Sequence, residues 1–185
     1  MELHHSGDQL IDPSVLFEKA HIHAGMHIAD FGCGRTGHII FPSLPVIGPS
    51  GVVYGVDILK EALESISRRA QIANAANVHT VWSNIEWTGK TAIAERTLDV
   101  VFLINVLCHV ENRHGVLEEA YRLLKDKARI VIVDWSSDST LPMAPGEGSA
   151  IDFDNIIQWA QLRRMVVQES FDAGSHHKGL VLFKA

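Results

Sequence analysis

The chain has 185 residues, 46% hydrophobic and 21% charged, with a formal net charge of -6. That length suits one domain burying roughly two-thirds of its unfolded surface, in the proportions of an ordinary globular protein. The acidic balance argues against a nucleic-acid partner, which needs a basic footprint. Two cysteines outside any C-x-x-C pair, Cys33 and Cys108, argue against a disulfide framework or a cysteine zinc site.

The basic pairs Arg68 with Arg69, Lys125 with Lys127 and Arg163 with Arg164 fall at predicted helix ends or faces, where solvation is expected. Met1 to Asp12 is polar and lacks the apolar core of a signal peptide. No apolar run approaches the ~18 residues of a bilayer span. A cytoplasmic chain with no membrane span is therefore expected.

Short β-branched runs alternate with segments of helical period, the pattern of βαβ units and a parallel sheet. Asp12-Pro13 reads as an N-cap followed by proline at the first helical position, opening a short helix over Pro13 to Ala20. His27 to Phe31 is a short strand running into a glycine cluster. A helix should follow, kinked or shortened by Pro42 and Pro45. Gly51 to Asp57 is the second strand. Leu59, Ala62, Leu63, Ile66, Ala70 and Ala73 then give an amphipathic helix to about Ala76.

Val78 to Trp82 is the third predicted strand. Leu98 to Ile104 is the fourth, its continuous apolar character fitting a strand covered on both faces. Val116, Ala120, Leu123 and Leu124 mark a helix, and Ala128 to Asp134 the fifth strand. A loop rich in proline and glycine precedes a helix around Phe153 to Leu162. Met165 to Phe171 and Gly179 to Phe183 are too closely joined, by Asp172-Ala173-Gly174-Ser175, for a helical crossover, so they must be antiparallel neighbours. The whole predicts a doubly wound, Rossmann-like α/β fold. Its seven-stranded sheet has five parallel strands and a two-stranded antiparallel terminal hairpin. One domain over 1–185 is expected, with residues 1–26 forming an N-terminal segment and helix that helps cover the site.

Asp30-Phe31-Gly32-Cys33-Gly34-Arg35-Thr36-Gly37 stands where the first strand hands over to the first helix. Glycines there permit a sharp bend and close approach of a ligand to the main chain, and the helix N-terminus offers N–H groups. Asp57, 20 positions after Gly37, ends the second strand and can accept both hydroxyls of a ribose. The spacing Gly32-x-Gly34-x-x-Gly37 satisfies a dinucleotide fingerprint, so a nicotinamide-dependent oxidoreductase is one reading. Three features favour S-adenosylmethionine. Asp30 can receive a methionine ammonium and would be poorly placed beside a pyrophosphate. Ser83-Asn84 offers contacts to an adenine amino group, and the terminal hairpin is foreign to most dehydrogenase domains.

These residues resemble the class I S-adenosylmethionine-dependent methyltransferases, above all the small ones akin to ubiquinone/menaquinone-biosynthesis methyltransferases. The likeness runs from about Pro13 to Lys184. Its specific parts are Ile28-Ala29-Asp30-Phe31-Gly32-Cys33-Gly34, Val53-Tyr54-Gly55-Val56-Asp57-Ile58, Leu98-Asp99-Val100-Val101-Phe102 and the stretch from Phe171 to Phe183. The resemblance implies that Asp30 and the backbone of Gly32, Cys33 and Gly34 hold the methionine portion, and that Asp57 holds the ribose. It implies that Ile58 and Ile85 pack on the two faces of the adenine. Asn84 replaces the family's usual aspartate, its amide carbonyl still able to accept, and Asn105 borders cofactor and acceptor. Thr36 stands where a third glycine is usual, and Pro42 is also a departure.

Methyl transfer is an in-line displacement in which positioning does much of the work, and a base is needed only if the acceptor must lose a proton. His109, at the carboxyl end of the fourth strand, is the candidate base. Packing is the alternative for it, as for His38, and His176 and His177 are expected to shape the hairpin turn. Trp87 and Trp135 either wall an acceptor pocket or pack in the core. Among 11 histidines, His4 with His5 and His21 with His23 lack the i, i+4 spacing of a helical zinc site, so no metal is expected. Cys33 and Cys108 suit packing better than nucleophilic attack.

The expected function is methyl transfer to a small molecule. The cover is expected from the N-terminal segment, the residues after Trp82 and the 136–152 loop, and the acceptor site is open or completed by a second copy in a homodimer. A non-catalytic S-adenosylmethionine sensor is the alternative.

Overall fold

The computed structural model describes residues 10–136, 139, 141, 142, 144 and 150–185. His4 and His5, and most of the loop after residue 136, lie outside the described residues. The chain order is α1 (Pro13–Ala20), β1 (His27–Phe31), α2 (Ile40–Ile47), β2 (Val52–Asp57), α3 (Lys60–Ile72), β3 (Val78–Trp82) and β4 (Leu98–Ile104). A 3-10 turn (Leu107–His109), α4 (Arg113–Leu123), β5 (Leu124–Trp135), α5 (Phe153–Leu162), β6 (Met165–Asp172) and β7 (His177–Lys184) follow.

The seven strands lie in the order β3-β2-β1-β4-β5-β7-β6. The β1–β2, β2–β3, β1–β4 and β4–β5 ladders are parallel; β7 runs antiparallel to both β5 and β6. The chain winds outward from β1 to β3, then returns to place β4 on the other side of β1. The topological switch point is therefore at the carboxyl ends of β1 and β4, where such sheets bind ligands.

Helices cover both faces because neighbouring strand residues point to opposite sides. Val101 and Leu103 of β4 join Ile130 and Ile132 of β5 in a core beneath α4 and α5, with Val116, Leu117, Ala120, Ile156 and Ala160. Val100, Phe102 and Ile104 face the other way, meeting Leu16 and Phe17 of α1, Ile40 and Ile47 of α2 and Leu63 and Ile66 of α3.

Several boundaries differ from the sequence expectation. The helix after the glycine cluster begins only at Ile40 and lasts eight residues, with Pro45 inside it. Pro42 falls in its first turn, where a missing N–H is tolerated. Helix α3 stops at Ile72 because Asn74 turns left-handed (φ 51°) soon afterwards. Leu124 is a strand residue paired with Leu98, and the β4–β5 register breaks before resuming at Val100 with Arg129. Lys127, at φ 62°, lies in the extra loop of chain between those pairings. Of the hairpin strands, the last in sequence is the interior one: β7 sits between β5 and β6, and β6 is the edge. Among the described residues no helix is long and apolar enough to cross a membrane.

Candidate functional site at the carboxyl ends of β1, β2 and β4

Immediately after β1 the backbone doubles back over the end of β2. The N–H groups of Gly32 and Cys33 both donate to the Val56 carbonyl, at 2.8 and 3.2 Å. Gly32 has φ 72°, and a Cβ there would stand 2.7 Å from Val106 Cγ2, so the loop after β4 lies directly against it. At Gly34 the space a Cβ would take is open, with nothing within 4 Å. Helix α3 supports this loop from beneath: Ser65 Oγ donates to the Arg35 carbonyl at 3.0 Å and the Arg69 guanidinium to that of Thr36. Arg69 is thus part of the loop's scaffold as well as a surface cation. Helix α2 begins only at Ile40, so its N-terminus lies beyond this loop, whose Gly32, Cys33 and Gly34 amides are engaged by Val56 and Asp57.

Asp57 joins two loops. Its Oδ2 accepts from Gly34 N and its Oδ1 from Leu59 N, both at 2.9 Å. An ionised carboxylate has about four acceptor positions, so two remain after these bonds, one on each oxygen. Next to it Ile58 is 53% exposed although apolar. Trp82 Nε1 donates to the Ile58 carbonyl at 2.9 Å and Ser83 N to that of Asp57 at 3.1 Å, tying the ends of β2 and β3 together. Asp30, one residue before the end of β1, is buried.

The remaining cofactor candidates are placed less uniformly. Asn84 Oδ1 accepts from Glu86 N at 3.0 Å, so its carbonyl already closes a local turn. Ile85 is buried in the core that includes Val56 and Ile93. Gly37 is left-handed (φ 58°) and buried. Asn105 follows β4 in a left-handed conformation (φ 52°), its N–H bonded to the Val133 carbonyl at 2.8 Å.

His109 closes the 3-10 turn after β4 and is exposed. His38 is half-buried, with Nε2 2.8 Å from the Ile11 carbonyl. It tethers the N-terminal segment to the glycine loop. His177 is the first residue of β7, not part of the turn, and its buried ring lies 4.3 Å from that of Trp135. Trp135 is only 3% exposed and belongs to the core, whereas Trp87 is 62% exposed. Burial first, then Asp30 and Asp57, push the Cys33 thiol up; burial and then Asp134 do the same to Cys108. Both therefore remain thiols and pack. Among the described residues no three His, Cys, Asp or Glu side chains gather as a metal site.

Two acids escaped the sequence reading. Asp134, fully buried near the end of β5, accepts from Cys108 N at 3.2 Å and Trp135 N at 2.9 Å. Burial raises its pKa, opposed by those hydrogen bonds and by the charge of nearby His109. Glu119, fully buried on α4, accepts from Gly89 N, Thr91 N and Arg122. Burial alone would raise its pKa, but the bonds from Arg122, Gly89 and Thr91 outweigh it and bring the carboxyl to about 2. The signal for Asp134 was its position at a strand end, shared with Asp30 and Asp57; for Glu119 it was the Arg122 one turn later.

This sheet order, with a reversed β7 and a glycine loop and acid at the switch point, is the class I S-adenosylmethionine-dependent methyltransferase fold. The chain belongs to the methyltransferase-domain family, which it matches over residues 22–170. A demethylmenaquinone methyltransferase of Lactococcus lactis subsp. lactis (strain IL1403) is 33% identical over 123 residues, covering 64% of this chain and 45% of that protein. An arsenite methyltransferase of Aquipseudomonas alcaligenes is 30% identical over 121 residues, 63% of this chain and 35% of that one. The chain thus spans less than half the length of these two relatives. The crystal structure of a SAM-dependent methyltransferase from Aquifex aeolicus superposes with a TM-score of 0.83 over 98% of this chain and 94% of that chain, at 19% identity.

Proposed function

We propose that the chain transfers a methyl group from S-adenosylmethionine to a small-molecule acceptor, acting as one domain with its N-terminal segment as part of the cover. The observation that carries this reading is the Asp57 carboxylate, held between Gly34 N and Leu59 N with one acceptor position left on each oxygen. A vicinal diol offers two donors to match. The open space at Gly34 and the exposed Ile58 beside it suit a nucleoside with an amino-acid tail.

When bound, S-adenosylmethionine supplies an electrophilic methyl on a sulfonium. Asp30 receives the ammonium and the Gly32, Cys33 and Gly34 backbone lines the methionine portion. Asp57 takes the ribose, and Ile58 and Ile85 flank the adenine. The Asn84 carbonyl accepts Glu86 N and keeps a second acceptor position for the adenine amino group, while its NH2 can meet a purine ring nitrogen. Asn105 borders the acceptor, and His109 accepts a proton where the acceptor has one to lose. Both cysteines are buried thiols, so no thiolate is offered to a soft acceptor such as arsenite. The Lactococcus lactis relative is named a demethylmenaquinone methyltransferase, and an acceptor of that class is the one proposed for this chain.

Calorimetric titration tests the proposal. S-adenosylhomocysteine should bind and NAD(P) should give no heat. A folded Asp30→Ala variant should lose about tenfold in affinity, one charge-assisted bond's share. Equal affinity in parent and variant would remove the site from this function. Isotope-labelled methyl appearing in a small-molecule fraction of a cell extract separates an enzyme from a sensor.

A further inference from the structure

The loop from Ser83 to Ile93 carries Asn84 and Ile85, yet it forms no regular structure over most of its length. What holds it is a line of buried polar groups running from α4 to the cofactor cleft. Glu119 has no exposed surface, and its carboxylate receives four hydrogen bonds. Gly89 N donates at 2.6 Å, Thr91 N at 2.8 Å and Arg122 Nε and Nη2 at 2.8 Å each. Arg122 Nη2 also reaches the Thr91 carbonyl at 3.3 Å. The Thr91 hydroxyl then meets the Ser83 hydroxyl at 3.1 Å, both side chains buried. Ser83 N in turn donates to the carbonyl of Asp57 at 3.1 Å.

The near end of the loop is pressed onto the same helix. Glu86 Oε2 accepts from the N–H groups of Glu111 and Asn112 at 3.1 and 2.7 Å, just before α4. A Cβ at Gly115 would lie 2.1 Å from the Glu86 carbonyl, so only glycine allows this approach. A buried carboxylate is expensive to leave partly bonded; here each oxygen is fully used, and every donor but Arg122 belongs to the loop. Glu119 is therefore built around the loop, and not merely around its own helix.

We infer that Glu119, with Thr91 and Ser83, is a positioning unit that sets the purine end of the cleft in register with Asp57. The inference rests on the proposed S-adenosylmethionine site. Its consequence is that disturbing a helix residue remote from the ligand weakens binding of the nucleoside portion while leaving the amino-acid end alone.

The test uses the full chain and two probes, S-adenosylhomocysteine and adenosine, measured by calorimetry and competition at a temperature where each variant is folded by circular dichroism. Glu119→Gln places an amide NH2 against N–H donors and should weaken both probes by about tenfold. Thr91→Val removes the hydroxyl, with its link to Ser83 and its bond to Glu119, and should weaken both by about threefold, with Thr91→Ser restoring the parent value. Should Glu119→Gln fail to fold, the Thr91 pair carries the test alone. Unchanged affinities in folded variants overturn the inference, as does a loss for S-adenosylhomocysteine that adenosine does not share. Failure of the parent itself to bind S-adenosylhomocysteine would instead overturn the proposed function, and this inference with it.

Discussion

Asp57 and Asp134 are alike in local construction. Each lies within a residue of the carboxyl end of its strand, at the same edge of the sheet, and each accepts two backbone N–H groups. Their surroundings separate them. The residue after Asp57 is Ile58, half in solvent, and a Cβ on Gly34, whose N–H the carboxylate accepts, would meet nothing within 4 Å, although Asp57 itself is 8% exposed. The residue after Asp134 is Trp135, sealed against His177 beneath a core of aliphatic side chains. One acid lies beside the open Gly34 and the exposed Ile58; the other accepts from the turn that carries Cys108 and His109 and from its own neighbour Trp135.

Breaking the two acids should therefore have opposite signatures. Asp57→Ala should cost roughly thousandfold in S-adenosylhomocysteine affinity by calorimetry, two charge-assisted bonds at about 1.5–3 kcal/mol each. Asp134→Ala should keep that affinity within about threefold, because Asp134 shares no hydrogen-bond partner with Asp57. It should lower unfolding stability in urea by about 2–3 kcal/mol, leaving two buried N–H groups unpaired. A large affinity loss in the second variant would erase the distinction. The following residues sharpen it further: Ile58→Ala should weaken the ligand by about tenfold with little change in stability, the share of one apolar side chain covered on binding.

Smallest, and readable only across pH, is the contrast between the two fully buried acids. The folded Asp134 carboxyl sits above its ordinary value of 3.8, mainly through burial. Its protonated form is thus favoured by folding, and the stability this adds below pH 3.8 is lost as pH rises through the raised value. The stability of the parent relative to Asp134→Asn should accordingly fall as pH rises above 3.8. Glu119 is the reverse. Held at about 2 instead of 4.5, it contributes stability above pH 4.5 that disappears as pH falls toward 2. Glu119→Gln should flatten that acid limb in urea titrations at a series of pH values. Parallel pH profiles for parent and variant would contradict either assignment.

Where a local pattern was enough, the sequence was legible. The Asp12-Pro13 start of α1, the strands at 27–31, 78–82 and 98–104, and α5 all stand where residue type and period place them. The glycine cluster and Asp57 were found as a pair because their spacing ties the ends of adjacent strands together. Other features depended on distant partners. Leu124 continues the helical spacing of Val116, Ala120 and Leu123, and only pairing with Leu98 makes it a strand residue. Glu119 and Arg122, three apart on a helix, have the pattern of a surface ion pair. It is the 83–93 loop folded over them that buries the acid. Asn84 Oδ1 takes the Glu86 N–H into a local turn, a use of its oxygen that residue type alone does not show.

The placement of β7 has a consequence for how the molecule is made. Residues 177–184 leave a ribosome after β5 and β6, yet both of those strands depend on them for hydrogen-bond partners. Until they emerge, β5 presents a bare edge and β6 has no ladder to join. The hairpin therefore zips in as a late wedge, and a nascent chain halted short of it would carry an exposed, aggregation-prone flank along an otherwise complete half-sheet.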